Sequence, residues 1–253
     1  GKGGIWMKRR KHKKRRVWLI VVSVIAGLAV LAAVAVFLFR TRSFVVEGNS
    51  YYGENTITTW IQNDRFSVNT LYIMAKYNLT DADLPSGVES MKISLKNPWT
   101  VRVKVTEKEM AGYVDYEGAY LYFDDSGVAS LRTNKLIEGT PYIENLTFDA
   151  SKVKIGEELP VEDDTIFGKI VEVSKNLKKC DLTPDKMSCT DGNVQVYFGI
   201  VEVLLGSGNY EEKLQQVPPI LAKLAELYPD TAGTLHLENY DPESESIRFV
   251  PSA

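Results

Sequence analysis

Histidine and cysteine are nearly missing from this chain, two of each in 253 residues. His12 lies in a basic run and His236 in a predicted strand, where it should face solvent or one strand face, so no imidazole cluster can build a metal site. Cys180 and Cys189 are too few for a disulfide framework and lack the spacing of a metal-binding pair. Nine residues apart, they can form one local bridge in an oxidising compartment, or sit singly as small buried hydrophobes. No G-x-S-x-G elbow, phosphate loop or G-x-G-x-x-G occurs, and Gly206-Ser207-Gly208 reads as loop. Asp124-Asp125, followed by Ser126-Gly127 between strands, has the chemistry of a turn rather than of an acid–base pair. Asp81 and Asp83 resemble the start of a calcium loop, yet Pro85 and Ser86 occupy the third-ligand and obligatory-glycine positions. The expectation is a protein with no catalytic centre, no metal, no cofactor and no small-molecule substrate.

Acid is also absent from the first 39 residues, and that absence fixes the geography of the chain. Residues 1–16 carry nine Lys or Arg, most of them in the run Lys8 to Arg16. Val17 to Phe39 then gives 23 uncharged, almost wholly apolar positions, with Gly27 the only glycine and no proline. A helix of that length reaches roughly 34 Å, enough for a hydrocarbon core of about 30 Å. The 214 residues from Arg40 onward carry 21 basic and 33 acidic side chains, a net of 21 − 33 = −12. The positive-inside rule leaves residues 1–16 in the cytoplasm and sends the acidic bulk across the membrane. Ala33-Val34-Ala35 matches a signal-peptide cleavage triplet, but it lies inside the apolar run, which is longer than a usual signal core. The expectation is one retained span, with Ser23 its only polar residue and no second glycine to make a helix-packing motif, and hence an anchor. The basic run suits anionic lipid; no aromatic side chain interleaves it as nucleic-acid binding would require.

Beyond the span, Phe44 to Asn49 reads as a short strand closed by a Gly-Asn turn. Asn55 is expected to cap a helix with Ile57, Trp60 and Ile61 on one face, and Ser67 a second helix with Val68, Leu71, Tyr72 and Ala75 on one face. Met91, Ile93 and Leu95, then Val101, Val103 and Val105, alternate around Asn97-Pro98 as a hairpin with one charged face. After Glu109 strands dominate: 111–114, 120–123 and 128–130, then Val194 to Phe198 and Val201 to Leu205 around Gly199. A helix carrying Ile166, Ile170, Val173 and Leu177 interrupts them, beginning near Asp163-Asp164-Thr165. A last helix, Glu211 to Leu227, should kink or split at Pro218-Pro219. Two short strands, 234–237 and 246–250, close the chain around the acidic stretch Asn239 to Glu245. The fold class is α+β, with a domain boundary expected near Glu109 to Gly112.

The order of these features resembles the FtsQ/DivIB family of bacterial cell division proteins. The resemblance rests on the basic tail and single span, on Phe44-Val45-Val46-Glu47-Gly48-Asn49, and on the stretch Asn97-Pro98-Trp99-Thr100-Val101-Arg102-Val103-Lys104-Val105. It continues through Tyr122 to Val128, Thr140-Pro141-Tyr142-Ile143, and Leu204-Leu205-Gly206 leading into Glu212-Lys213-Leu214. It implies a POTRA domain at residues 43–108, of order strand-helix-helix-strand-strand, and a β domain at 109–250. It also implies a non-catalytic scaffold of the divisome at the division septum, with small bitopic partners of the FtsB/DivIC and FtsL type. The cysteine pair and Pro218-Pro219 depart from the family pattern. A final strand has no successor in the chain to cover it, and the family's partners bind at that end of the domain. The candidate partner-binding residues are Tyr240, Ser246, Ile247, Arg248, Phe249 and Val250, with Ile247 and Phe249 on one face and Arg248 and Val250 on the other. A membrane-tethered extracytoplasmic sensor without enzymatic activity is the alternative with the same topology.

Overall fold

The computed structural model describes residues 4–243 and 246–253, with side chains from Lys13 onward. It is a mixed α+β protein with one long apolar helix at its N-terminus, and it divides into two compact units, Gly1–Glu107 and Lys108–Ala253.

Helix α1 (Gly4–Leu38) runs without a break from the basic segment through the apolar one. Its stretch Lys13–Leu38 is long and apolar enough to cross a membrane, and none of it is buried inside the protein. The chain then enters the first unit with no slack. Thr41 N–H donates to the Val68 carbonyl at 2.8 Å, Thr70 N–H to that of Phe39 at 2.8 Å, and Arg42 N–H to that of Trp99 at 2.9 Å. Strand β1 (Ser43–Glu47) follows directly.

Helix α2 (Glu54–Gln62) begins one residue before the expected cap, after Gly53, and Asn55 lies inside its first turn. Ile57 and Ile61 are fully buried, each worth about 1.5–3 kcal/mol over exposure, while Trp60 stays exposed and donates its indole N–H to the Asp83 carbonyl at 3.1 Å. The loop ahead of α2 is tied down by Glu107, whose Oε1 accepts backbone N–H groups from Ser50 at 2.7 Å and Tyr51 at 3.3 Å. A short helical turn, Arg65–Val68, is capped by Asp64.

Helix α3 (Thr70–Leu79) is capped by Asn69, not by Ser67: Asn69 Oδ1 accepts from Leu71 N–H at 2.9 Å and Tyr72 N–H at 3.2 Å. With the cap two residues later, Val68 falls outside the helix and is 66% exposed, Ala75 faces out, and Thr70 and Ile73 point to the core. Strands β2 (Val88–Asn97) and β3 (Thr100–Glu107) form the expected hairpin, pairing Met91 with Val105, Ile93 with Val103 and Leu95 with Val101. Strand β1 runs parallel to β3 on its other side, giving the order β1-β3-β2.

The second unit opens with a three-stranded meander, β4 (Met110–Tyr116), β5 (Ala119–Asp124) and β6 (Ala129–Thr133). Asp124-Asp125-Ser126-Gly127 is the turn its residues predict. Asp124 Oδ1 accepts the N–H groups of Ser126 at 2.9 Å and Val128 at 3.0 Å, and Gly127 takes a positive φ of 80° with the Phe167 ring directly over it. A two-residue strand, β7 (Ile143–Glu144), helix α4 (Thr165–Lys179), and strands β8 (Lys186–Thr190), β9 (Asn193–Phe198) and β10 (Val201–Leu204) follow. Helix α4 buries Ile166, Phe167, Ile170, Val173 and Leu177, the expected face with Phe167 added.

The long last helix is split at Gln216 into α5 (Tyr210–Gln215) and α6 (Val217–Leu227). Pro218 and Pro219 sit in the first turn of α6, where missing N–H groups leave no bond unmade. Strands β11 (Gly233–His236) and β12 (Arg248–Pro251) complete a six-stranded sheet of order β12-β11-β10-β9-β8-β7. Its core face, with Met187, Val196, Val203 and Leu235, packs in one cluster with Ile166, Ile170, Val173 and Leu214 of the helices.

Cys180 and Cys189 are free, so the bridge allowed by their spacing is not formed. Cys180 is the residue that ends α4, while Cys189 lies three residues into β8, about 10 Å beyond that strand's first residue at ~3.3 Å per residue. Burial pushes the Cys189 thiol up to about 12.

Candidate functional site

Among the described residues strand β12 has one neighbour, β11, and forms one edge of the six-stranded sheet. Register pairs Arg248 with His236, Phe249 with Leu235, and Val250 with Thr234. Ser252 N–H donates to the Ala232 carbonyl at 2.8 Å, which sets the alternation of the ladder. Arg248, Val250 and Ser252 turn their main-chain groups toward β11, and Phe249 and Pro251 turn theirs to the open side. On that side Phe249 offers a donor and an acceptor, whereas Pro251 offers an acceptor only.

Side chains on β12 divide as their alternation predicts. Ile247 and Phe249 pack against the core cluster, as does the half-buried Tyr240, whose N–H donates to the Leu237 carbonyl at 3.1 Å. Phe249 lies over Gly233, and its ring centroid is 6.1 Å from that of Tyr228. Arg248 is exposed and Val250 half-buried on the opposite face, and Ser246 is exposed just ahead of the strand.

The register places Arg248 and Val250 at the end of two rows that cross the sheet on its open face. One row runs Lys186, Tyr197, Glu202, Thr234, Val250, and the other Ser188, Gln195, Leu204, His236, Arg248, of which Ser188 and Gln195 are buried even on this face. The first row is stitched by polar contacts. The Lys186 ammonium meets the Glu144 carboxylate at 2.9 Å and sits 4.7 Å from the Tyr197 ring centroid, and Thr234 Oγ1 donates to Glu202 at 3.3 Å. Burial, then the Glu202 carboxylate, raises the Tyr197 phenol above its usual range. In the second row His236 Nδ1 lies 2.7 Å from Glu238 Oε1, and the ring is half-buried on the strand face.

Gln195, Tyr197 and Glu202 are not named among the candidates in the sequence, although its alternation implies them. If Val194, Val196, Val201 and Val203 face the core, Gln195, Tyr197, Glu202 and Leu204 must face the other way. Beneath the sheet, the Lys213 ammonium is buried and donates to the carbonyls of Leu205 at 2.6 Å, Glu238 at 3.3 Å and Ser207 at 3.4 Å. Burial lowers its pKa. This contact ties α5 to the ends of β10 and β11, and so holds the strand on which β12 depends. Among the described residues no three His, Cys, Asp or Glu side chains are grouped to hold a metal ion.

Compared with known proteins, the chain matches no family model and no curated protein. The chemistry available at β12 is main-chain pairing along a sheet edge, with the exposed Arg248 and half-buried Val250 beside it.

Proposed function

We propose that this chain is a non-catalytic bitopic scaffold of the bacterial divisome, of the FtsQ/DivIB kind. In this reading the basic segment lies in the cytoplasm, α1 crosses the membrane once, and the rest of the first unit, from Ser43 on, lies outside it with the second unit at the division septum. The first unit, with its order β1-α2-α3-β2-β3, is the POTRA domain, and the second is the β domain. Small bitopic division proteins of the FtsB/DivIC and FtsL type dock through the second unit by adding a strand to β12.

The observation that supports this most is the position of β12 as a sheet edge whose outer ladder side is not used by any neighbouring strand among the described residues. Such an edge invites pairing unless it is covered. A single preceding apolar helix of membrane length fits a bitopic protein. The test is crosslinked pull-down of the full chain from dividing cells, beside the variants Arg248→Glu and Val250→Asp. Both variants should capture much less of an FtsB/DivIC-type partner at unchanged thermal stability, because neither side chain lies in the core. Undiminished capture by both would rule out the edge as the docking site.

A further inference from the structure

We infer that one end of the first unit is itself seated in the lipid headgroup layer, so that the unit stands on the membrane at a fixed angle. The inference rests on α1 crossing a bilayer. Two loops meet the chain where it leaves α1. The turn Arg65–Val68 is held by Thr41, whose N–H donates to the Val68 carbonyl and whose Oγ1 donates to that of Ser67 at 2.8 Å. The tip of the β2–β3 hairpin is held by the bond from Arg42 N–H to the Trp99 carbonyl. Asn69 also reaches back to the Ala35 carbonyl inside α1, at 3.5 Å.

Distance then decides where these loops lie. Thr41 lies three residues beyond Leu38, the last residue of α1, at most about 10 Å of chain. Each headgroup layer is roughly 5–8 Å thick. Val68 is bonded to Thr41, and Trp99 to the next residue, so both lie in or at the rim of that layer. Their side chains suit it. Phe66, Val68 and Trp99 are 52%, 66% and 38% exposed, and all three lie on the two loops bonded to Thr41 and Arg42, so their apolar surface is gathered at this one end. Arginines alternate with them: the Arg65 guanidinium lies 4.7 Å from the Phe66 ring centroid, and that of Arg42 lies 5.7 Å from the Trp99 ring. Aromatic rings flanked by cations with apolar stems are the pattern of an interface with anionic phospholipid. Asp64, the acid nearest to this end in sequence, is paired with Lys76 at 2.9 Å and leaves the arginines free of it.

The test uses the full chain reconstituted in vesicles of phosphatidylglycerol and phosphatidylcholine, the latter brominated near the top of its acyl chains. Three variants each keep a single tryptophan: Trp18 in the span, Trp99, and Tyr51→Trp at the far end of β3, about 24 Å away at ~3.3 Å per residue. Trp18 and Trp99 should each be quenched at least twofold relative to unbrominated vesicles, and the residue-51 reporter should not. Adding Phe66→Ser with Val68→Ser should weaken the quenching of Trp99 without lowering the unfolding temperature. If Trp18 is quenched while Trp99 behaves like the residue-51 reporter, the seated end is refuted and the span stands. If Trp18 is not quenched either, the span reading fails and takes this inference with it.

Discussion

Substituting Gly233 with alanine should loosen β12 without unfolding the domain around it. An added Cβ at Gly233 would sit 2.4 Å from Cζ and 2.7 Å from Cε2 of Phe249, and 2.7 Å from the Val250 carbonyl oxygen. The ring could rotate away, but the oxygen belongs to the backbone of β12 and can move only with the strand. Overpacking of this kind costs about 1–3 kcal/mol. An interior strand would spread that cost through two neighbours, whereas β12 has one, so the cheapest relief is for β12 to detach. At about 1.4 kcal/mol per tenfold change, detachment becomes about 5–150 times more frequent. Hydrogen–deuterium exchange read by mass spectrometry should show a peptide spanning Arg248–Ser252 exchanging faster by that factor. A peptide spanning β9 should be unchanged, and partner capture should fall with the protection of β12. Equal acceleration in β9, or none in β12, would refute the reasoning.

Asp64 is held at a pKa of about 2 by hydrogen bonds from Tyr72 at 2.6 Å and Lys76 at 2.9 Å. Its stabilisation is complete above the ordinary value of 3.8 and is lost as pH falls through 2. Thermal melts of the wild type should therefore drop over that window more than melts of Asp64→Asn, and parallel curves would count against the cap. Replacing Lys213 with methionine should cost about 2–4 kcal/mol in urea unfolding, since buried carbonyls lose their charged donor. Because burial depresses Lys213 in the folded state, wild-type stability should rise with pH toward 10.5, and the variant should lose that rise. Alkylation in denaturant without reductant should add two labels per chain, one on each cysteine, with Cys189 reacting only after unfolding; a chain that takes none carries a bridge.

Much of the architecture could be read from residue patterns, and the misses share a cause. Strands β3, β9 and β10 declare themselves through alternating valines, because a half-buried strand needs apolar residues at every second position. Pro218-Pro219 gave away the break between α5 and α6 for an equally local reason. Strand β8 carries no such signal: Lys186-Met187-Ser188-Cys189-Thr190 has no branched aliphatic side chain, and Ser188 is buried by its neighbours rather than by its own character. The caps of α2 and α3 were misplaced because Asn55 and Ser67 are as good locally as Gly53 and Asn69, and only packing chooses between them. At the candidate site, the chemistry of each β12 residue followed from its alternation. The partners on the open face did not, since the pairing of Arg248 with His236 depends on a register fixed across distant segments. The same holds for Lys213, which looks like a surface lysine until three carbonyls from separate segments converge on it.

The join between β10 and β11 has a consequence for when the edge comes into being. These two strands are parallel, so the chain between them, from Leu205 to Ala232, must cross back over the sheet, carrying α5 and α6 with it. Strand β11 reaches β10 only through that crossover, and β12 pairs only with β11 among the described strands. Since synthesis proceeds from the N-terminus, β12 is made after the strand it docks on. A chain cut short before Arg248 would leave β11 as the margin of the sheet, with different residues on display. The outer rim at β12 therefore exists only once the crossover and β11 are in place, and any partner that pairs there reads that order of assembly as well as identity.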